Sequence, residues 1–471
     1  MTKTVKEPLL TLSNFLLFIG AVFVVFIVGV GTGIAPIYTA IFSLVPIFIV
    51  LACLKFRIAV LVMLVLASGL IPKQLTPTLP MLGGRFRAED MFLALLIGIG
   101  FVRLMMGIDK FKKHNLWYPL YYFSALVVCS LLVAFLNNNK FYWIVFELRG
   151  LCYWFFAMLL VISIKDKKQF NTVVNFIVML SALVAAAATF QSITGIHILT
   201  NNLFSSLFTG SSVDSNVNRS FLGGFGTFVA FSFVLTFARL VRNEIAFSIG
   251  FPVLLVLLCG IIVTFGRGFW IVTLVTVFIS SVWLGWKSFI KIWTAMLIII
   301  FTIASFSSLL LPDYFDAVIN RAASVSSEID SGESWGWRKH ETAWGLKTIK
   351  QNPFIGIGLG GEYLPPMIGN KSETPSPIPH NSYIGLALKF GLAGLIFPVW
   401  LTIAVLLRAK KLNTTLSIAI GSSFMNPVLV GYSQMEWAHM FGIMFMATMV
   451  ALLILHEEPN NTVNKPVRSD I

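Results

Sequence analysis

Phe170–Phe190 reads FNTVVNFIVMLSALVAAAATF, without a charged residue from end to end. A bilayer core about 30 Å thick is crossed by roughly 20 apolar residues in a helix, so this segment can span once. Lys165, Lys167 and Lys168 stand before it, and the Ser- and Asn-rich stretch Gln191–Ser220 follows it. One end is basic and the other is not, and that polarity recurs along the chain.

The composition agrees. The 471 residues are 57% hydrophobic and 11% charged, against roughly 45–50% and 25% in ordinary soluble domains. So little charge cannot cover a water-facing surface. A soluble enzyme, a disordered chain and a free nucleic-acid binder are excluded, despite a net charge of +14. Cys53, Cys129, Cys152 and Cys259 sit in apolar runs without a CxxC pair, so neither a disulfide frame nor a zinc site is indicated. No small-residue cleavage site follows the first apolar run, so it is expected to remain as a span.

Thirteen further segments resemble the first. They are Phe15–Val30, Ala35–Leu54, Ile58–Ile71, Met91–Met106, Tyr118–Leu136 and Tyr142–Ile164, then Phe221–Phe237, Phe247–Phe265, Phe269–Leu284, Ile292–Leu311, Ser382–Leu407, Leu416–Val430 and Trp437–Leu455. The expected fold is an all-α polytopic membrane protein of about 14 transmembrane helices. Ile58–Ile71 and Leu416–Val430 are short, which keeps 12 or 13 open. Lys and Arg favour the cytoplasmic side in short loops. Basic clusters occupy alternate connections, around Lys3, Lys55, Lys110, Lys165, Arg239, Lys287, Arg408 and Lys465. Fourteen spans with both termini cytoplasmic fit that alternation, and the excess positive charge is then chiefly an orientation signal, with room for contact to membrane lipid.

Three loops fall on the other side. Pro72–Asp90 and Gln191–Ser220 carry Arg85, Arg87 and Arg219, and Pro312–Asn381 is by far the longest. Its eight acidic and six basic residues are nearly balanced, as in a folded segment. Within it Ser334–Gln351 reads as an amphipathic helix, capped by Ser334, stopped by Asn352-Pro353 and expected to lie across the outer mouth of the bundle. Long ordered loops are uncommon unless functional. The chain thus divides into N-terminal spans (1–220), further spans (221–311), the extracytoplasmic loop (312–381) and C-terminal spans with a tail (382–471).

Several residues there suit chemistry. Arg267 lies in Gly266-Arg267-Gly268, between two apolar runs. Its guanidinium suits phosphate and the glycines permit close approach, although a snorkelling arginine fits the same place. His380 and Asn381 close the long loop. An imidazole there can take a proton from a hydroxyl, or can simply sit at the interface. Arg338 either faces solvent paired with Glu341 one turn on or meets a substrate. Glu147 and Arg149 lie inside an apolar run, and Lys389 inside another, where charge is costly and turns to a cavity or a partner. His439 follows Glu436 by three residues, as an ion pair would. Arg103, near an inner end, suits snorkelling. Gly356-Ile-Gly358-Leu-Gly360-Gly361 matches GxGxxG, but no strand–helix unit surrounds it, and it reads as a turn beside the bundle. No metal-ligand pattern is present.

The fragments GRGFW (266–270), Arg338–Trp344, Asn352–Gly358, PHNSYI (379–384) and the pair Gly391 and Gly394 occur in this order. Over roughly Arg219–Leu407 the chain resembles the superfamily of O-antigen ligases and Wzy-type polysaccharide polymerases. The resemblance implies a GT-C-type membrane glycosyltransferase in the inner membrane, using a glycan on undecaprenyl pyrophosphate as donor at its outer face. The acceptor would be another glycan or lipid A-core. It implies metal-independent, inverting transfer with no cofactor. Arg267 matches the arginine of the SRG motif, Arg338 the loop arginine and His380 the HN histidine; Arg219, Arg149 and Asn381 are candidate substrate contacts. The chain departs from the pattern at Gly266, where serine is usual, and at Lys389, where an acidic residue is common. A lipid-linked oligosaccharide flippase is the alternative, kept open by Arg149 and Lys389.

Overall fold

The structure, a computed structural model, describes residues 49–50, 52–71, 79–81, 84–196, 198–199, 217–220, 222–323, 333–363, 379–432, 434, 436–437 and 439–457. Twelve of the fourteen expected spans contain a helix among these residues. Phe15–Val30 lies outside them, as does nearly all of Ala35–Leu54. The helices are α1 (Phe56–Ser68), α2 (Ala88–Met105), α3 (Trp117–Leu136), α4 (Phe141–Leu151), α5 (Phe155–Ser163), α6 (Lys167–Thr194), α7 (Gly226–Val241) and α8 (Phe247–Ile262). They continue with α9 (Arg267–Trp283), α10 (Trp286–Leu310), α11 (Pro312–Ala323), α12 (Glu333–Gln351), α13 (Ser382–Phe390), α14 (Ile396–Leu412), α15 (Thr415–Val430) and α16 (Met440–His456). One small departure from an all-helical chain is the antiparallel hairpin β1 (Leu79–Met81) and β2 (Gly84–Phe86) before α2.

Four runs are long and apolar enough to cross a bilayer: Trp117–Leu136, Phe141–Ser163, Lys167–Thr194 and Leu392–Leu412. Six shorter apolar helices accompany them. Every residue of α16 from Met440 to Leu455 is buried, and so is α7 from Gly226 to Ala238, which makes these two helices the centre of the bundle. The outer helices expose rows of large apolar side chains, Val128, Leu132 and Phe135 on α3 and Leu297 and Phe301 on α10. Apolar surface of this extent belongs against lipid.

Two expected spans are interrupted. Tyr142–Ile164 becomes α4 and α5, joined by a 3-10 turn at Cys152–Trp154. Ser382–Leu407 breaks at Gly391, whose φ of 69° ends α13. A side chain there would strike the Phe354 carbonyl. A broken helix frees carbonyls that the bilayer cannot hydrate, and α3 supplies partners. Ser130 donates to the Lys389 carbonyl at 2.8 Å and Tyr122 to that of Ala393 at 2.9 Å. The expected loop helix is present as α12, but it begins at Glu333, so Ser334 lies inside it rather than capping it. It packs along α13 through Ile349, Ala387 and Leu388.

The basic connections gather at one end. Asp109 takes Arg103 at 2.7 Å and Lys165 at 2.9 Å, Glu457 takes His114 at 2.8 Å and also Arg408, and Arg242 donates to Thr415 at 3.1 Å. At the other end stand the starts of α2, α7, α9, α13 and α16 and the finishes of α3, α6, α8 and α15. Contacts tie these ends together: Gly226 lies against Phe269, Gly224 against Phe441, and the Ser382 amide donates to the Gly431 carbonyl at 2.8 Å.

Candidate functional site

At that second end the charged candidates fall into four groups. The first is built on α12 and α13. Asn381 caps α13, its side-chain oxygen accepting from the amides of Tyr383 (2.9 Å) and Ile384 (3.1 Å). Ser382 is buried and donates to the Gln434 carbonyl at 2.6 Å, which fixes the helix start against the α15–α16 connection. His380 is thereby placed facing α12. Its Nδ1 lies 2.8 and 3.0 Å from the two oxygens of Glu341, and its amide points to the same carboxylate at 3.4 Å. The Glu341 side chain is 5% exposed and the imidazole 51%. A buried carboxylate holding the Nδ1 proton leaves Nε2 as the acceptor, turned outward. Arg338 precedes Glu341 by just under one turn. A cavity of about 240 Å3 is lined by Arg338, Glu341, Thr342, Asn381, Ile384 and Tyr432, with His380 between the lining residues Pro379 and Asn381. Glu341 thus serves His380, not Arg338 as the one-turn spacing suggests.

The second group surrounds the Thr264–Gly266 corner between α8 and α9. Arg219 donates through Nε to the Thr264 carbonyl at 2.7 Å, and Arg321, from α11, donates to the Phe265 carbonyl at 3.2 Å. Arg267 opens α9 on the next residue but one. Burial, and then Arg321 and Arg267, push the Arg219 guanidinium below its ordinary range.

The third group holds Arg149, whose guanidinium is 3.3 Å from Asp90 and lies over the Phe146 ring at 4.9 Å. Asp90 also accepts from the Arg87 amide (2.9 Å) and the Tyr153 hydroxyl (3.0 Å). Arg149 therefore ties α4 to the start of α2. The fourth group is Glu147 with Lys389, 2.8 Å apart. Glu147 accepts the Gly360 amide at 2.7 Å, and Lys389 donates to the Gly361 carbonyl at 2.7 Å. Here the GxGxxG segment finds its explanation. Gly356, Gly358 and Gly360 all have φ near +70° to +78°. A Cβ at Gly358 or Gly360 would stand 2.6 Å from the backbone nitrogen of Ala134 or Ile144. The strip threads between helices and is pinned by the ion pair, as the turn expected beside the bundle.

The structure thus brings Arg338 and Asn381 onto one cavity with His380 beside it, and Arg267 and Arg219 into a separate cationic corner at the same end. Arg149 stands apart from both in its pair with Asp90. The cavity lining and the corner share no residue. Sequence reasoning missed two residues. Glu341 was visible only as a neighbour of Arg338, and Arg321 only as one charge in a long loop. Nothing local in the sequence signals either tertiary partner. No group of His, Cys, Asp and Glu suited to a metal occurs among the described residues.

Fold and site define an integral membrane protein with a basic, imidazole-bearing end. The family model described as O-antigen ligase (Wzy_C) matches residues 252–399, from α8 into α14. Over this segment, under a third of the chain, the protein is similar to the O-antigen ligase family. The segment contains Arg267, Arg321, Arg338, Glu341, His380 and Asn381 and leaves out Arg149 and Arg219. Curated proteins yield no match. The match supports ligase- or polymerase-like transfer involving glycan and lipid-linked substrates in general.

Proposed function

We propose that the protein transfers or polymerises glycan from an undecaprenyl-pyrophosphate donor at the outer face of the inner membrane, as an inverting glycosyltransferase that needs no metal. The observation that carries this reading is the His380–Glu341 pair beside a cavity, at the same end of the bundle as Arg267. The acceptor is another glycan or lipid A-core. Its hydroxyl gives its proton to His380 Nε2. The oxygen attacks the anomeric carbon from the face opposite the diphosphate, and the carbon–oxygen bond to the diphosphate breaks. Undecaprenyl pyrophosphate leaves with the negative charge. Arg267 and Arg338, assisted by Arg219, stabilise that charge, and pre-aimed cations in a dry site are effective there because they need no reorganisation. Asn381 shapes the cavity wall. Glu341 keeps the imidazole oriented and stabilises it once protonated, as a carboxylate does for a base.

The flippase alternative drew on Arg149 and Lys389 as charges along a path through the bundle. Each has a carboxylate partner, Asp90 and Glu147, which favours the enzyme. A count of fourteen spans leans toward a polymerase over a ligase.

Glycan profiling separates the two. Loss of polymerase leaves single-repeat caps, and loss of ligase leaves bare core with polymer stranded on its carrier. In a deletion strain complemented with His380→Ala or Arg267→Ala, we expect membrane levels of the protein unchanged and transfer lowered by about 10²–10⁴-fold. Normal glycan in both strains would remove the roles assigned to these residues.

A further inference from the structure

We propose that Arg321 is a donor-binding residue: with Arg219 and Arg267 it forms a three-arginine clamp on the Thr264–Gly266 corner that takes the diphosphate of a polyprenyl-linked glycan. The proposal rests on the glycosyltransferase reading above and adds to the donor site one residue, Arg321, that the motif does not single out.

The corner is built to hold cations together. Two consecutive carbonyls, of Thr264 and Phe265, each accept one arginine Nε–H. A guanidinium carries five N–H donors in a planar fork, of which that bond uses one. A Cβ placed on Gly266 would lie 3.8 Å from the Arg219 Nη2, an ordinary contact, so the Arg219 guanidinium lies directly beside this glycine. Arg267 follows at once as the first residue of α9. Three guanidinium groups gathered on four residues act on one another as like charges, Arg321 and Arg267 on Arg219 and Arg321 on Arg267, and such a group suits a multivalent anion. The first amides of α9 add partial positive charge at the same place. Among the described residues a Cβ at Gly268 would meet nothing within 4 Å.

The corner is also constrained. Phe265 is fully buried yet has φ of +48°, a conformation costly for a residue with a side chain and kept where the surroundings enforce it. Thr264 enforces it, donating to the Ile261 carbonyl at 2.7 Å and accepting the Gly266 amide at 3.3 Å. The Trp270 indole donates to that same carbonyl at 2.9 Å. On the other side α11 docks through Ala317, buried with Val217 and Phe265, and delivers Arg321 less than a turn and a half later. Below the corner α9 exposes Ile271, Leu274 and Phe278, a row along which an apolar tail can lie. Diphosphate above and polyprenyl below is the chemistry of a lipid-linked donor, whereas an ordinary phospholipid offers a single phosphate.

The test uses the full chain in nanodiscs. Binding of undecaprenyl pyrophosphate is measured for wild type, Arg321→Gln, Arg321→Lys and Arg267→Gln, with undecaprenyl monophosphate and phosphatidylglycerol as comparison ligands and thermal melting as the fold control. Arg321→Gln should weaken diphosphate binding by about tenfold or more, the scale of one charge-assisted contact, with Arg321→Lys recovering part of it and phosphatidylglycerol binding little changed. Wild-type diphosphate affinity in Arg321→Gln alongside a loss in Arg267→Gln overturns this inference and leaves the enzyme reading standing. Wild-type affinity in both variants overturns this inference and the donor-binding role of Arg267 with it. An equal loss for phosphatidylglycerol marks a headgroup site and also overturns the proposal. If Arg321→Gln melts early, Arg321→Lys decides, and full diphosphate affinity with native melting in a glutamine variant of the neighbouring exposed Asn320 shows that the loss is specific to the charge.

Discussion

Glu436 and His439 lie three residues apart in the connection between α15 and α16, the spacing that suggested an ion pair. The structure gives them opposite tendencies instead. Burial raises the Glu436 carboxyl to about 7. Burial, then Arg87 and Arg149, lowers His439 to about 4. By area His439 is exposed and Glu436 partly so, so both stand in a recess that protein surrounds but solvent reaches. For an acid whose pKa is raised on folding, the folded state holds the proton longer than the unfolded one. Stability is then fully present below about pH 4.5 and is lost as pH rises to about 7. His439 acts in the reverse sense, costing stability as pH falls from about 6.5 to 4. Glu436→Gln should therefore melt higher than wild type at pH 8 and no higher at pH 4. We expect a gain on the order of 1 kcal/mol, because solvent access screens the effect. Melting curves at the two pH values check this, and equal shifts at both would exclude the assignment.

Among the elements, α13 is the most consequential. It is short, breaks at Gly391 and would be poor at holding itself in a bilayer. Its position comes from α3, which satisfies its free carbonyls, and from the Lys389–Glu147 pair, which locks it to α4 through the Gly356–Gly361 strip. A buried pair behaves asymmetrically when cut. Lys389→Met alone leaves Glu147 with an uncompensated charge and should destabilise by about 3–5 kcal/mol. Adding Glu147→Gln should restore much of the loss, since apolar or neutral replacements of both partners are often tolerated. A double-mutant cycle on detergent-solubilised protein measures this, and additive losses would mean the pair does not act as one unit. The expectation that Ser382–Leu407 is a single span failed for a definable reason. Hydropathy averages over Gly391, while the left-handed backbone at that one position ends the helix.

For the whole molecule, the separation of ends is the main result. Asp109 and Glu457 collect the basic connections at one end, and the arginine corner and the His380 cavity occupy the other. From the positive-inside tendency we expect the bundle to sit with the cavity outward, which accessibility labelling tests. With Cys53, Cys129, Cys152 and Cys259 replaced by serine, Asn352→Cys should react with a membrane-impermeant maleimide in intact cells. Lys113→Cys should react only after permeabilisation. The reverse pattern would turn the proposed site toward the cytosol and end the case for an outer-face donor.

Sequence alone determined the membrane-helical class, the alternation of basic connections, the presence of the loop helix and the choice of Arg267, Arg338 and His380 as candidates. Those features are local: apolar runs set by bilayer thickness, charge on short loops, motifs of a few residues. Only the tertiary structure decided that Glu341 orients His380, that Arg321 joins Arg219 and Arg267 on one corner, and that Lys389 belongs to Glu147. Each is a pairing between distant segments, and which charge meets which depends on how helices pack, a quantity that no window along the chain contains.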